Sequence, residues 1–192
     1  MSADPGRDAG FTLVELMVAL SIMATALALF GAGIGQIYST ARATEALTVA
    51  ASQSHTAFLR LDREIRYAAG ISVPAQVDGD WYVEYATTAA GEQTCHQVRI
   101  GAAPGVLQIR DQRGAGEPGP WNTLASGVAS PSSFSRTGAA TGGSQYQQLT
   151  VALTLRAGPD SGRRRSAGFT FTALNTTVDT ASDAVCAGMG RG

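Results

Sequence analysis

The sequence predicts an α+β fold in which a long N-terminal α-helix, apolar through its first half, packs against an antiparallel β-sheet. Three observations carry this. Residues 16–41 hold no charged side chain, and a hydrocarbon-spanning helix of about 20 residues fits inside that run. Beyond it, Ile37, Ala41, Leu47, Ala51, Phe58, Leu61, Ile65 and Ala68 recur near every 3.5 positions, the stripe of an amphipathic helix. After Gly70 the period drops to 2, with glycines and prolines between short runs, so helix precedes strands in chain order.

The chain has 192 residues and a net charge of -1, which leaves room for one modest globular domain and gives no global attraction to nucleic acid. Residues 1–10 are polar, with Pro5 and Gly6 opposing regular structure, and read as a leader. Residues 11–41 form the apolar half of the helix and 42–192 a globular head, divided into helix 42–69, strands 70–174 and a loose tail 175–192. Glu15 stands alone at the start of the apolar run. A carboxylate there is costly, roughly 2.5 to 3.5 kcal/mol at a bilayer centre and less near its edge, so it calls for a cationic partner or a role at the helix N-terminus.

Gly31, Gly33 and Gly35 form a soft point in the helix, or, through Gly31 and Gly35, a site of close helix packing. On the later half, Arg60 with Glu64 and Asp62 with Arg66 stand at i,i+4, and Gly70 supplies the stop. Asp80–Tyr85, Cys95–Ile100 and Val106–Arg110 read as successive strands. Trp121–Val128 with Phe134 reads as a further short segment, and Gln147–Arg156 and Phe169–Leu174 close the sheet. Gly158–Gly168 reads as the loop between those last two.

Two export routes fit the N-terminus. A conventional secretory peptide would be cut after Ala24-Thr25-Ala26 and release a soluble binding protein; Glu15 and the apolar run beyond the cut oppose it. The other route retains the helix. Gly10 followed by Phe11-Thr12-Leu13-Val14-Glu15-Leu16 resembles the processing signature of the type IV pilin and pseudopilin family. The resemblance implies a dedicated prepilin peptidase that cleaves between Gly10 and Phe11 and N-methylates Phe11. The new ammonium is cationic at neutral pH, and the family pairs it with Glu15 of a neighbouring subunit. The resemblance further implies other pilins or pseudopilins, the cytoplasmic membrane and an inner-membrane assembly platform as partners, with the head outside the cytoplasm. Phe58–Ala69 and Trp121–Val128 are similar to the W-type minor pilins and J-type pseudopilins. The machine could be a pilus, a secretion pseudopilus or a competence apparatus.

No catalytic constellation, cofactor motif or metal motif is read from the spacing. His55 and His96 read as surface or hydrogen-bonded residues, and Asp78-Gly79-Asp80 as a turn before a strand. Cys95 and Cys186 can pair if the head is exported, or remain two isolated thiols. Arg163, Arg164 and Arg165 form the one basic cluster; at a loop tip they could hold DNA phosphates, but without aromatic interleaving or a broader basic face a solvated loop is the default.

Overall fold

The computed structural model describes residues 12–89, 91–141, 143–156 and 164–191. The fold is α+β, as the sequence predicts, and the chain divides into two units, Met1–Arg42 and Ala43–Gly192. Helix α1 runs from Leu13 to Arg66.

In the first unit, Thr12 caps α1: its Oγ1 accepts the amide of Glu15 at 3.3 Å, one half of a Thr-x-x-Glu capping box. Leu13–Arg42 is long and apolar enough to cross a membrane. The hydroxyls of its serines and threonines are satisfied internally. Ser21 donates to the carbonyl of Met17, Thr25 to that of Ser21, and Ser39 and Thr40 to that of Gln36. Helical geometry continues through Gly31, Gly33 and Gly35, and a Cβ on any of them would meet nothing within 4 Å.

In the second unit, the end of α1 packs into the head. Ala57, Leu61 and Ile65 are buried, while Ile37 in the first unit and Leu59 on the opposite face are exposed. The side chain of Leu47 lies outside the described residues. Strands β1 (Ala68–Ile71), β2 (Ala75–Val77), β3 (Asp80–Ala89), β4 (Glu92–Gly101), β5 (Val106–Arg113) and β6 (Asn122–Ser126) form one antiparallel sheet. Its order is β1-β3-β4-β5-β6, with β2 also on β3. Strands β7 (Val128–Thr137), β8 (Gln147–Arg156) and β9 (Arg164–Ala173) form a second, antiparallel in order β7-β8-β9. One core joins them: Leu61 and Ile65 from α1, Val83, Tyr85, Val98 and Ile109 from the first sheet, and Leu149, Val151, Leu153 and Phe171 from the second.

Five sequence expectations are corrected. The helix stops at Arg66 rather than near Ala69, because Ala68 and Ile71 are fully buried as strand residues paired to β3. Gly70 is therefore no helix cap; it lets the tail approach, since a Cβ there would lie 3.0 Å from Val185 Cγ2. The strands make two sheets, not one, because Gly127 at φ 71° separates β6 from β7 and passes the chain from one sheet to the other. Arg164 and Arg165 lie in β9 rather than in a loop, as register partners of Arg156 and Leu155. Finally, the tail is fastened rather than loose, as the site geometry below describes. The Asp78-Gly79 turn is as expected: both residues have positive φ, 50° and 89°, and Val77 pairs with Asp80 across a two-residue hairpin turn of type I′.

Candidate functional site

The N-terminal site is built on the first turn of α1. Gly10 and Phe11 lie outside the described residues. Glu15 is exposed, three residues into the helix, where the aligned peptide dipoles favour an acid. Its neighbours one turn on are Val18 and Ala19, and the next charged residue along the chain is Arg42. The carboxylate forms no ion pair with any described residue. Around it Leu13, Leu16, Met17 and Leu20 face outward, as does Phe30 about four turns on, Leu13 and Phe30 at 74% exposure. A helix apolar on every side needs lipid or other helices around it, and an acid among those side chains needs a cation that no described residue supplies.

The head carries two polar networks that strand periodicity did not reveal. On the face of the first sheet away from α1, Glu84, Gln97 and Arg110 are register neighbours on β3, β4 and β5. Gln97 Nε2 donates to Glu84 Oε1 at 2.8 Å, and Arg110 Nε donates to Gln97 Oε1 at 2.7 Å. The tail closes over this row. Arg191 donates to both Glu84 carboxylate oxygens, and the carbonyls of Met189 and Gly190 accept from Arg110. The bond to Glu84 holds the Arg191 guanidinium above its ordinary pKa, whereas burial lowers that of Arg110. Trp121 packs against Arg99 and Arg110, with its ring centre 4.4 and 4.5 Å from their guanidinium carbons.

Cys95, on the same face as Gln97, is joined to Cys186 by a disulfide with Cα atoms 5.6 Å apart. Met189 is buried beside it. The tail is also tied to the second sheet through Gln147, whose Nε2 donates to Thr180 O and Ser182 Oγ while its Oε1 accepts the amide of Ile71. A cleft of about 410 Å³ remains between β3 and the tail, lined by Ser72, Val73, Glu84, Asp183 and Arg191 among others.

On the α1 face, Tyr85, His96 and Asp111 are register neighbours. Tyr85 donates its hydroxyl to Glu64 Oε2 at 2.5 Å, and Arg60 donates to Glu64 Oε1 at 3.0 Å. His96 stacks on Tyr85, its Nδ1 2.7 Å from Asp111 Oδ1 and its Nε2 2.8 Å from Thr87 Oγ1. Because Asp111 can only accept, the ring proton belongs on Nδ1. The bond from His96 lowers the Asp111 pKa, and burial first of all pushes that of Tyr85 well up. This His is the hydrogen-bonded residue the sequence suggests. Its partners come from two further strands and α1, and no spacing in the sequence could pair them. Among the described residues no group of three or more His, Cys, Asp or Glu is placed to hold a metal ion.

Of the basic cluster, Arg163 lies outside the described residues, and Arg164 and Arg165 are exposed at the start of β9. Within the second unit they are on a different sheet from Cys95 and His96, which lie on β4.

With that geometry in place, comparison with known proteins finds one family. Residues 6–31 match the prokaryotic N-terminal methylation motif. The match covers Gly10, Phe11 and Glu15 and supports a precursor of the type IV pilin or pseudopilin kind, processed by a prepilin peptidase and assembled with other pilins. The apolar segment of α1 fits a membrane-anchored protein of that kind. No curated protein and no solved structure matches the chain.

Proposed function

We propose that the chain is a minor pilin or pseudopilin, a non-enzymatic filament subunit of a type IV pilus, a type II secretion pseudopilus or a competence pilus. It waits in the cytoplasmic membrane with the head outside the cytoplasm, is cleaved between Gly10 and Phe11, and is N-methylated on Phe11. An inner-membrane assembly platform then packs its apolar helix among those of other subunits. The observation that carries this reading is Glu15, an exposed carboxylate without a described partner, set in an outward-facing apolar surface inside the matched motif.

Cleavage places a cationic α-ammonium four residues before Glu15. An ammonium and a carboxylate on neighbouring subunits satisfy each other as the apolar faces close, which fixes the axial register of the two helices. Such a pair contributes specificity more than net stability. That α1 continues without a break through Ala24-Thr25-Ala26 supports a retained helix over release by an ordinary signal peptidase. The likeness of Phe58–Ala69 and Trp121–Val128 to W and J types supports a minor rather than a major subunit.

The test is Glu15→Val in the native host. The variant is expected to reach the membrane in normal amounts, to carry an N-terminus at methylated Phe11 by intact mass, and to drop out of sheared filaments by at least tenfold. Normal amounts of Glu15→Val in filaments would sink the assembly role, and a chain starting near Leu27 would sink the retained helix.

A further inference from the structure

The exposed arginines at the β8–β9 end of the second sheet have no part in the reading above. Arg156 and Arg164 are register partners, so their side chains leave the same face of the sheet side by side. Like charges directly opposite each other destabilise a strand pair, and nothing described offsets them. Arg156, Arg164 and Arg165 are all exposed, and none forms an ion pair with a described residue. Arg164 is steadied by donating to the carbonyl of Ser130 on β7 at 2.8 Å.

Their place in the head follows from contacts further along β9. Phe169 and Phe171 lie against Phe58, with ring centres 5.2 and 5.4 Å away, and the amide of Leu174 donates to the carbonyl of Arg66 at 3.0 Å. Strand β9 and the end of α1 therefore advance in the same direction. Arg164 is five residues before Phe169, about 16 Å back along the strand, which corresponds to roughly eleven helix positions before Phe58. The Arg156–Arg164 pair, and Arg165 on the other face of β9, thus lie toward the end of the head at which α1 enters it.

We propose that Arg156, Arg164 and Arg165 bind anionic lipid headgroups at the surface of the membrane that holds the precursor, so that the head is docked on that surface before assembly. Phosphate oxygens of two or three headgroups would sit against guanidiniums whose own repulsion they relieve, by charge-assisted and in part bidentate hydrogen bonds. Each Arg near an anionic surface contributes roughly fivefold to association, on the order of a hundredfold for three. Nucleic acid fits less well, because residues 156–165 include no aromatic side chain on which bases could stack.

This proposal rests on the reading of the N-terminal helix as a membrane anchor, and its test separates the two. Full-length protein is reconstituted in nanodiscs of phosphatidylcholine alone or with phosphatidylglycerol, and amide hydrogen exchange is followed in peptides spanning Leu155–Gly168. Exchange is expected to slow in the anionic discs only, and to return to the neutral-disc rate at about 0.5 M salt. It should also return in the variant Arg156→Gln/Arg164→Gln/Arg165→Gln, with unchanged exchange in β3 and β4 reporting an intact fold. Equal exchange in both discs, or slowing that survives in the Gln variant, overturns the proposal while leaving the anchor in place. Slowing produced by a short DNA duplex in neutral discs, without a lipid effect, overturns it in favour of nucleic acid. Protein that elutes free of lipid overturns the anchor and this proposal together.

Discussion

Glu84 and Asp111 are strand carboxylates on opposite faces of one sheet, held by different kinds of partner. Asp111 accepts from His96, and that bond above all keeps its pKa below the ordinary carboxylate value. A depressed folded-state pKa means that the carboxylate stabilises the fold above the unfolded value of about 3.9 and ceases to as pH falls through the lowered one. Asp111→Asn should therefore flatten the dependence of the thermal midpoint on pH below about 4, while the wild type continues to lose stability there. Equal slopes for the two proteins would remove Asp111 from the account. At this scale the sequence was only partly legible. His96 as a hydrogen-bonded residue and the Arg60–Glu64 and Asp62–Arg66 pairs were readable, because the latter depend only on helix geometry. Glu84, Gln97 and Arg110 were not, because alternating polar residues on a strand look the same whether water or a folded-back tail lies over them.

At the scale of elements, β8 spans Gln147–Arg156 as its alternation predicted, since one of its faces is core and the other is not. The C-terminal segment shows the opposite case. It has no period because it covers the sheet by separate hydrogen bonds rather than by a repeating apolar face. Arg191 is its last described anchor. Glu84 is 3% exposed, so removing the guanidinium would leave a buried carboxylate with only Ser72 and Gln97 donating to it. Breaking a buried pair from one side costs roughly 3 to 5 kcal/mol, and since Arg191 is itself partly exposed the lower end applies. Arg191→Ala should thus lower unfolding free energy by about 3 kcal/mol in urea titration and raise hydrogen exchange in the Val185–Gly190 amides. Arg191→Ala combined with Glu84→Gln should recover part of that loss, because no charge is then stranded.

For the whole molecule, α+β was legible because the period changes once, from helical to strand-like. The division into two sheets was not, since it depends on the positive φ of Gly127, and glycine at a turn reads the same in either topology. Two cysteines 91 residues apart could be named as candidates but not joined, because spacing says nothing of distance in space. In the structure the disulfide ties β4 to the tail and closes most of the head into one loop. Loop-closure entropy for that separation amounts to about 4 to 5 kcal/mol. The double variant Cys95→Ser/Cys186→Ser should lose about that much, read as a lower urea midpoint with a steeper transition, because the unfolded chain freed of its cross-link exposes more surface. A loss below about 1 kcal/mol would mean that the tail's hydrogen bonds hold it without the covalent link.

The hydroxyls of Ser21, Thr25, Ser39 and Thr40 all donate to carbonyls of their own helix. What remains polar along that length is the Gln36 amide and the Tyr38 hydroxyl toward its end, so a neighbouring helix meets mostly shape, and the one charge is Glu15. In a bundle of such helices, axial shear would meet low resistance over the apolar length and a stop at one end.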